Sequence, residues 1–440
     1  MMPRSREILE EEIRLATPKS RAQWERGTAT MPGGVIKGAY WMAPHPIYVE
    51  RAEDCYVWDL DGHKYVDFTN HHTAMVLGHS PPTVIEAVNK AVAQGLGFGA
   101  PSTLEAEMAE EIVNRFPSIE KVRFTGSGTE SSLHATRMVR AFTGRPKIAK
   151  FEGAYHGSHD ALEISTAPDI ARAGPADSPT AVASWPGMAR GSEDNVVILP
   201  YGQRESVELI LREQKDEVAA VFFDAKAGIY DLDPSFALFL RDLTRELGMV
   251  MVMDEVVSFR AGYSGYQGHV GVEPDLTLFA KIMSGGLPGG VLAGKAELMD
   301  MLDNSTGATL NQSGTFSGNH ITLAAGLATL RALTPDVYRH FDVLRKRLIS
   351  GLERVLGDAG VRANVRGIGS IVSFDFGERP VQDYRSLIET DREIFELIRM
   401  EVLLRGYVMA AGLGICLCVP MEIEHIDGLV GAIGEALAAE

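Results

Sequence analysis

A chain of 440 residues is too long for one compact core and implies two domains, or one large domain with appended halves. Its 42 basic and 59 acidic side chains leave a net charge of −17, which a nucleic-acid backbone would repel; only a local pocket for a small anion stays open. A composition 45% hydrophobic and 23% charged is that of an ordinary globular protein, and no apolar run approaches the length of a membrane span.

In chain order, residues 1–28 read as helical, starting with the charged, amphipathic Met1-Met-Pro-Arg-Ser-Arg-Glu-Ile-Leu-Glu10. No apolar stretch of signal-peptide type follows, so a cytoplasmic location is expected. A Gly/Pro-punctuated segment, Met31-Pro-Gly-Gly-Val35 and then Ala43-Pro-His-Pro46, leads into an antiparallel meander between Ile47 and Phe68, turned at Asp61-Gly62. From about residue 80 to 310, helices (Thr83–Gln94, Leu104–Arg115) alternate with apolar strands. The strands are Val122–Thr125, Lys147–Phe151, Val218–Phe223, Met249–Met253, Leu276–Phe279 and Gly290–Ala293. Such alternation requires a buried, mostly parallel sheet covered by helices. The stretch 165–195, rich in Ala, Ser, Pro and Gly, reads as a long loop or lid. After residue 318 come helices at Ile321–Leu333 and Val337–Leu356, strands within Val361–Phe376 and Val408–Pro420, and a last helix from Glu424. The expected architecture is α/β: a large domain over 76–318, and a smaller α+β domain built from 1–75 and 319–440. Of the three cysteines, Cys416 and Cys418 alternate along one apolar strand. No disulfide framework is expected, and a zinc site with His425 lacks the usual ligand spacing.

Four segments carry chemistry. In Val122-Arg-Phe-Thr-Gly126-Ser127-Gly128-Thr129-Glu130 a strand ends, small residues turn, and a helix begins, which offers N–H groups and hydroxyls to a phosphate or serves as a plain N-cap. Met249-Val-Met-Val-Met-Asp254 puts a carboxylate at the tip of a central strand, where α/β sheets bind ligands and where it can pair with a protonated ring nitrogen. Leu276-Thr-Leu-Phe-Ala-Lys281, followed by a glycine-rich turn to Gly290, ends a strand in a lysine placed to form imines with aldehydes. Phe151-Glu-Gly-Ala-Tyr155-His156-Gly157 offers an aromatic ring that can lie against a flat heterocycle or simply pack in a loop. A phosphate cradle, a stacking ring, a ring-nitrogen partner and an imine-forming amine at the ends of one sheet are what pyridoxal 5'-phosphate requires.

These motifs, in this order, resemble the class III (fold type I) pyridoxal-phosphate aminotransferases, in particular the glutamate-1-semialdehyde aminomutase branch and its β-amino-acid aminotransferase relatives. The resemblance runs from about Met31 to the C-terminus. It also rests on Val57-Trp-Asp-Leu-Asp-Gly62, Val66-Asp-Phe68, Leu77-Gly-His79, Asp254-Glu-Val256, Pro274-Asp-Leu-Thr277 and Gly314-Thr-Phe-Ser-Gly-Asn319. It implies that Lys281 carries the cofactor as a Schiff base and shuttles the proton, that Asp254 pairs with the pyridinium nitrogen, and that Val256 packs on the ring. It further implies that Ser127, Gly128 and Thr129 hold the phosphate, and that Tyr155 stacks on the ring with His156 nearby. Thr315 would reach the phosphate of the other subunit's cofactor in a homodimer.

The chain departs from the family pattern at three places. Lys37, counted back from Ala43-Pro44, takes the place of the carboxylate-binding arginine of the β-amino-acid enzymes and lacks its bidentate fork. The loop Met409-Ala-Ala-Gly-Leu-Gly414 lacks both the aminomutase's Glu-bearing insertion and the arginine expected near Gly412. The usual Glu-Pro is replaced by Asp224-Ala225-Lys226. Lys37, Tyr40 and Trp41, with His71, His72 and the 165–195 stretch, are the candidates for the substrate pocket. The expected reaction is ping-pong amino transfer from an amine or amino acid, β-amino acids included, to a keto acid. Intramolecular aminomutase chemistry is the alternative. A non-catalytic binding module is a third reading, against which the presence of Lys281 speaks.

Overall fold

The computed structural model describes residues 4–412 and 414–438; Met1 to Pro3 of the amphipathic N-terminal reading, and Leu413 of the 409–414 loop, lie outside them. Two compact units result. The smaller is made of Met1–Pro81, Arg339–Pro380 and Glu389–Glu440, and the larger of Pro82–Tyr338 with Val381–Ile388.

The smaller unit opens with helices Arg6–Ala16 and Pro18–Thr28 rather than one continuous helix. Pro18 lacks the N–H that a continuing helix needs at that position and instead starts a new one. The Asp61 carboxylate accepts from Lys19 N (2.8 Å) and Ser20 N (3.1 Å), so the turn of the meander caps the second helix. The meander consists of β1 (Val49–Glu53), β2 (Tyr56–Asp59) and β3 (Lys64–Asp67), antiparallel throughout.

The larger unit holds a seven-stranded sheet of β4 (Lys121–Thr125), β5 (Lys147–Phe151), β6 (Val196–Leu199), β7 (Val218–Phe223), β8 (Val250–Asp254), β9 (Leu276–Ala280) and β10 (Gly290–Gly294). The strand order is β4-β10-β9-β8-β7-β5-β6, and only β10 points opposite to the other six strands. Every residue of β7, β8, β9 and β10 is buried, which explains their unbroken apolar runs. Because β4, β5 and β7 to β9 point the same way, their C-terminal tips share one edge. Gly290, at the start of β10, pairs with both Thr125 and Ala280 on that edge. An ideal Cβ at Gly290 would lie 2.4 Å from the Ser127 carbonyl oxygen, so no larger residue fits where β10 meets the turn after β4.

The chain then completes the smaller unit with the hairpin β11 (Ala363–Ile368) and β12 (Ile371–Phe376), with β13 (Tyr407–Val408) beside β3, and with β14 (Ile415–Cys416) beside β12. Cys55, Cys416 and Cys418 are buried thiols. His425 is engaged by the Tyr56 hydroxyl (2.7 Å) and accepts from Glu422 N (3.0 Å).

Two segments assigned to the C-terminal domain from sequence pack in the larger unit. One is the helix His320–Ala332, where Gly326 brings the helix so close that a Cβ would meet Met283 O at 2.4 Å. The other is Val381–Ile388. Its Arg385 makes a bidentate pair with buried Glu152 (2.8 and 2.9 Å), and Tyr384 lies against Gly153. No helix among the described residues is long and apolar enough to cross a membrane.

Candidate active site

The turn after β4 is built around its own hydrogen bonds. Thr125 Oγ1 donates to Ser127 O (3.0 Å), Gly126 N donates to Glu130 Oε2 (2.6 Å), and Ser127 Oγ caps the following helix by accepting from Glu130 N (3.1 Å). The helix Gly128–Thr143 therefore begins with the N–H groups of Gly128 and Thr129, behind which no intrahelical carbonyl lies. Positive helix-end potential and aligned donors make this an anion site. Thr129 Oγ1 also accepts from Ser158 N (3.2 Å), tying the start of the helix to the loop after β5. At Gly157 (φ +100°) a Cβ would lie 2.7 Å from Thr129 Oγ1, so glycine permits that approach.

Asp254 ends β8 and is buried. Its Oδ2 faces His156 Nδ1 at 2.8 Å, and its Oδ1 accepts from Val256 N (3.0 Å). Ser258 Oγ donates to its carbonyl (3.1 Å). These three bonds fix the orientation of this residue at the strand tip. His156 Nε2 is buried with no hydrogen-bond partner. Lys281 follows β9, the parallel neighbour of β8, with a left-handed backbone (φ +55°) that non-glycine residues seldom adopt away from functional sites.

These elements converge. An ideal Cβ on Gly128 would stand 3.3 Å from both Val256 Cγ2 and Ala280 Cβ, so the helix start, the β8 tip and the β9 tip meet within van der Waals reach. Tyr155 is half exposed, its hydroxyl 3.1 Å from Ser158 Oγ, which leaves a ring face available. An anion-binding helix end, a carboxylate backed by histidine, an aromatic ring and a lysine on adjacent tips suit pyridoxal phosphate. Thr315 lies on an open groove of about 700 Å³ that Gly126 and Ser127 also line, together with Leu287, Pro288 and the exposed Phe316.

Lys37, Tyr40 and Trp41 belong to the smaller unit and form a group of their own. Lys37 Nζ sits 4.3 Å from the centroid of the Tyr40 ring, Tyr40 stacks on His72 (5.5 Å, 20°), and Trp41 leans on Trp24 (5.6 Å). His72 stands in a run of four left-handed residues: Asn70 (φ +47°), His71 (+49°), His72 (+52°) and Thr73 (+76°). Nothing in the residue pattern announces this turn, although Asn and His are enriched in that conformation.

Three further features went unread in the sequence. Lys150 interrupts the apolar β5 and is fully buried; its ammonium donates to Ala154 O (2.7 Å), Leu162 O (2.8 Å) and Ile164 O (2.6 Å), pinning the loop that carries Tyr155 and His156. Burial pushes that ammonium well below the ordinary lysine range. His159, 3.2 Å from Ser132 Oγ, is lowered to about 4, chiefly by burial and then by the neighbouring His156. Arg385, paired with Glu152, also reaches Ala173 O and Pro175 O at 3.3 Å, anchoring the irregular 165–195 stretch. The signal that could have exposed the first of these was a lysine inside an otherwise apolar strand.

The family model described as aminotransferase class-III matches residues 38–413. The chain is 38% identical over 384 residues to the glutamate-1-semialdehyde 2,1-aminomutase 2 of Bacillus licheniformis, covering 86% of this chain and 87% of that protein. It superposes on an omega-transaminase from Sphaerobacter thermophilus with a TM-score of 0.92 at 37% identity, over 95% and 97% of the two chains. With a beta-phenylalanine aminotransferase from Variovorax paradoxus the TM-score is 0.85 at 31% identity, over 98% and 96%.

Proposed function

The chain belongs to the class-III aminotransferases, enzymes that work with pyridoxal phosphate, and on that premise we propose that it carries an amino group from an amine or amino acid, β-amino acids included, to a keto acid. The observation that carries this reading is the convergence of Asp254, Lys281 and the Gly128 helix start on one sheet edge. Bound there, the cofactor supplies an aldehyde carbon that accepts nitrogen and a ring that withdraws electrons.

The residues divide the remaining work. The N–H groups of Gly128 and Thr129, with the Ser127 and Thr129 hydroxyls, hold the phosphate. Asp254 would accept the ring N–H, while His156 keeps that carboxylate aimed. Val256 and Tyr155 would pack against the ring. Lys281 would hold the cofactor between turnovers, and its amine, once released, would move the proton taken from the substrate carbon. Release of one carbonyl product before a second carbonyl substrate takes up the nitrogen would give ping-pong kinetics.

Lys37 is our candidate for the substrate carboxylate, beside Tyr40 and Trp41. A lysine there gives charge without a fork, which favours amines and bulky β-amino acids over dicarboxylates. The exposed apolar rim around Thr315 supports a homodimer in which Thr315 reaches the phosphate bound by the partner copy. Three buried thiols are consistent with the reducing cytoplasm.

A second reading, intramolecular amino transfer, is favoured by the names of curated relatives such as the Bacillus licheniformis enzyme. The missing Glu-bearing loop and the missing second arginine argue against it. Mixing the enzyme with panels of amines, α-amino acids and β-amino acids, and following loss of cofactor absorbance, tests both. Bleaching by a donor, with a new amino acid formed from pyruvate or 2-oxoglutarate, is expected. Turnover of glutamate-1-semialdehyde alone, with no external donor accepted, would overturn it.

A further inference from the structure

The segment Asp224-Ala225-Lys226 follows β7 directly, and its carboxylate is buried. Phe223 pairs with Met253 in parallel register, so Asp224 and Asp254, the next residue on each chain segment, come at neighbouring strand tips. Lys226 pairs with the Asp224 carboxylate. Its ammonium lies 3.0 Å from Asp224 Oδ2, and its backbone N–H donates to Oδ1 at 2.9 Å.

This geometry is tightly held. Lys226 adopts a left-handed backbone (φ +47°), fixed by Ile229 N and Tyr230 N donating to its carbonyl at 2.7 and 2.9 Å. The Tyr201 hydroxyl donates to Asp224 O (2.7 Å). Burial works to raise the Asp224 carboxyl, but Lys226 and then His156 outweigh it and hold the group below the ordinary carboxylate range. His156, bonded to Asp254, is thus also within the field of Asp224. The other titratable groups coupled to this pair are Lys150 on β5 and the phenols of Tyr201 and Tyr230.

We propose that Lys226 is a positioning residue for the reaction: by cancelling the charge of Asp224, it leaves Asp254 alone to set the field on the ring nitrogen. The proposal rests on the aminotransferase reading. The test is a spectral pH titration of the cofactor-loaded enzyme, the Lys226→Met and Asp224→Asn variants, and the double variant. An uncompensated Asp224 favours the protonated cofactor, so Lys226→Met should move the titration midpoint up by about 0.5–1 pH unit. Asp224→Asn leaves a lone cation and should move it down by a similar amount, while the double variant returns close to the parent. Lys226→Arg keeps the charge and should leave the midpoint in place. A pair that merely braces the turn cannot give opposite signs. Single variants that shift the same way, or not at all, overturn the proposal; should Lys226→Met fail to fold, the downward shift of Asp224→Asn decides alone. A parent protein with no cofactor absorbance would instead sink the aminotransferase reading.

Discussion

The strand tips of the larger unit and the left-handed turn of the smaller one achieve precision by different means. Asp254 and Lys281 stand at the end of, and just beyond, fully buried strands, and the ladder between β8 and β9 fixes their separation. The turn Asn70–Thr73 has no ladder. Four left-handed residues cost roughly 1–2 kcal/mol each and persist only because side chains overdetermine them. Asp67 gathers Thr69 N (2.7 Å), Thr69 Oγ1 (2.6 Å) and His79 Nε2 (2.8 Å), while the Asn70 amide reaches Asp67 O (2.9 Å) and Cys416 O (3.1 Å). Groups set by a sheet inherit their placement, whereas groups set by a strained turn need a dedicated network.

That contrast can be broken or sharpened, beginning with the largest effect. Lys281→Ala should lower turnover by about 10⁴-fold with little loss of stability, since the β9 ladder does not depend on that side chain; near-parent kcat, or borohydride still fixing cofactor to the variant, would contradict the assigned role. Lys150→Met strands three buried carbonyls and should cost about 3–5 kcal/mol in urea unfolding, an effect of the loop rather than of the sheet. Asp67→Ala removes the hub of the strained turn and should cost about 2–4 kcal/mol, with KM for the donor rising more than kcat falls; an unchanged KM would separate the turn from the substrate.

His159 gives a smaller, pH-dependent effect. Its folded value of about 4 lies below the ordinary 6.5, so the unfolded chain takes up the proton first as pH falls. Stability present above pH 6.5 is then lost progressively down to about pH 4, by up to about 3 kcal/mol, and His159→Gln should flatten that part of the Tm profile. The smallest effect is Lys37→Arg. A restored fork should lower KM for β-amino acids by about 10-fold while leaving simple amines unchanged, and equal changes for both would remove Lys37 from the carboxylate site.

The same contrast explains what could be read in the sequence. Strands such as Val218–Phe223 matched residue for residue because a parallel strand buried on both faces must be apolar throughout. Asp254 and Lys281 stood out because each is a charge directly after such a run. The short β6 (Val196–Leu199) was hidden behind the irregular 165–195 stretch. The stacking of Lys37, Tyr40 and His72 was invisible because it depends on backbone angles no periodicity encodes. The break at Pro18, by contrast, was available to a reading that weighed proline more heavily.

The Glu152–Arg385 pair has a consequence for the order in which the protein can be completed. Glu152 is made early and Arg385 some 230 residues later, after most of the smaller unit has been synthesised. A fragment ending near residue 338 therefore keeps the whole seven-stranded sheet yet leaves a buried carboxylate without its counter-ion, right beside the loop bearing Tyr155 and His156. The ribosome must nearly finish the polypeptide before that loop acquires its last brace, so competence to retain a cofactor arrives late in biosynthesis.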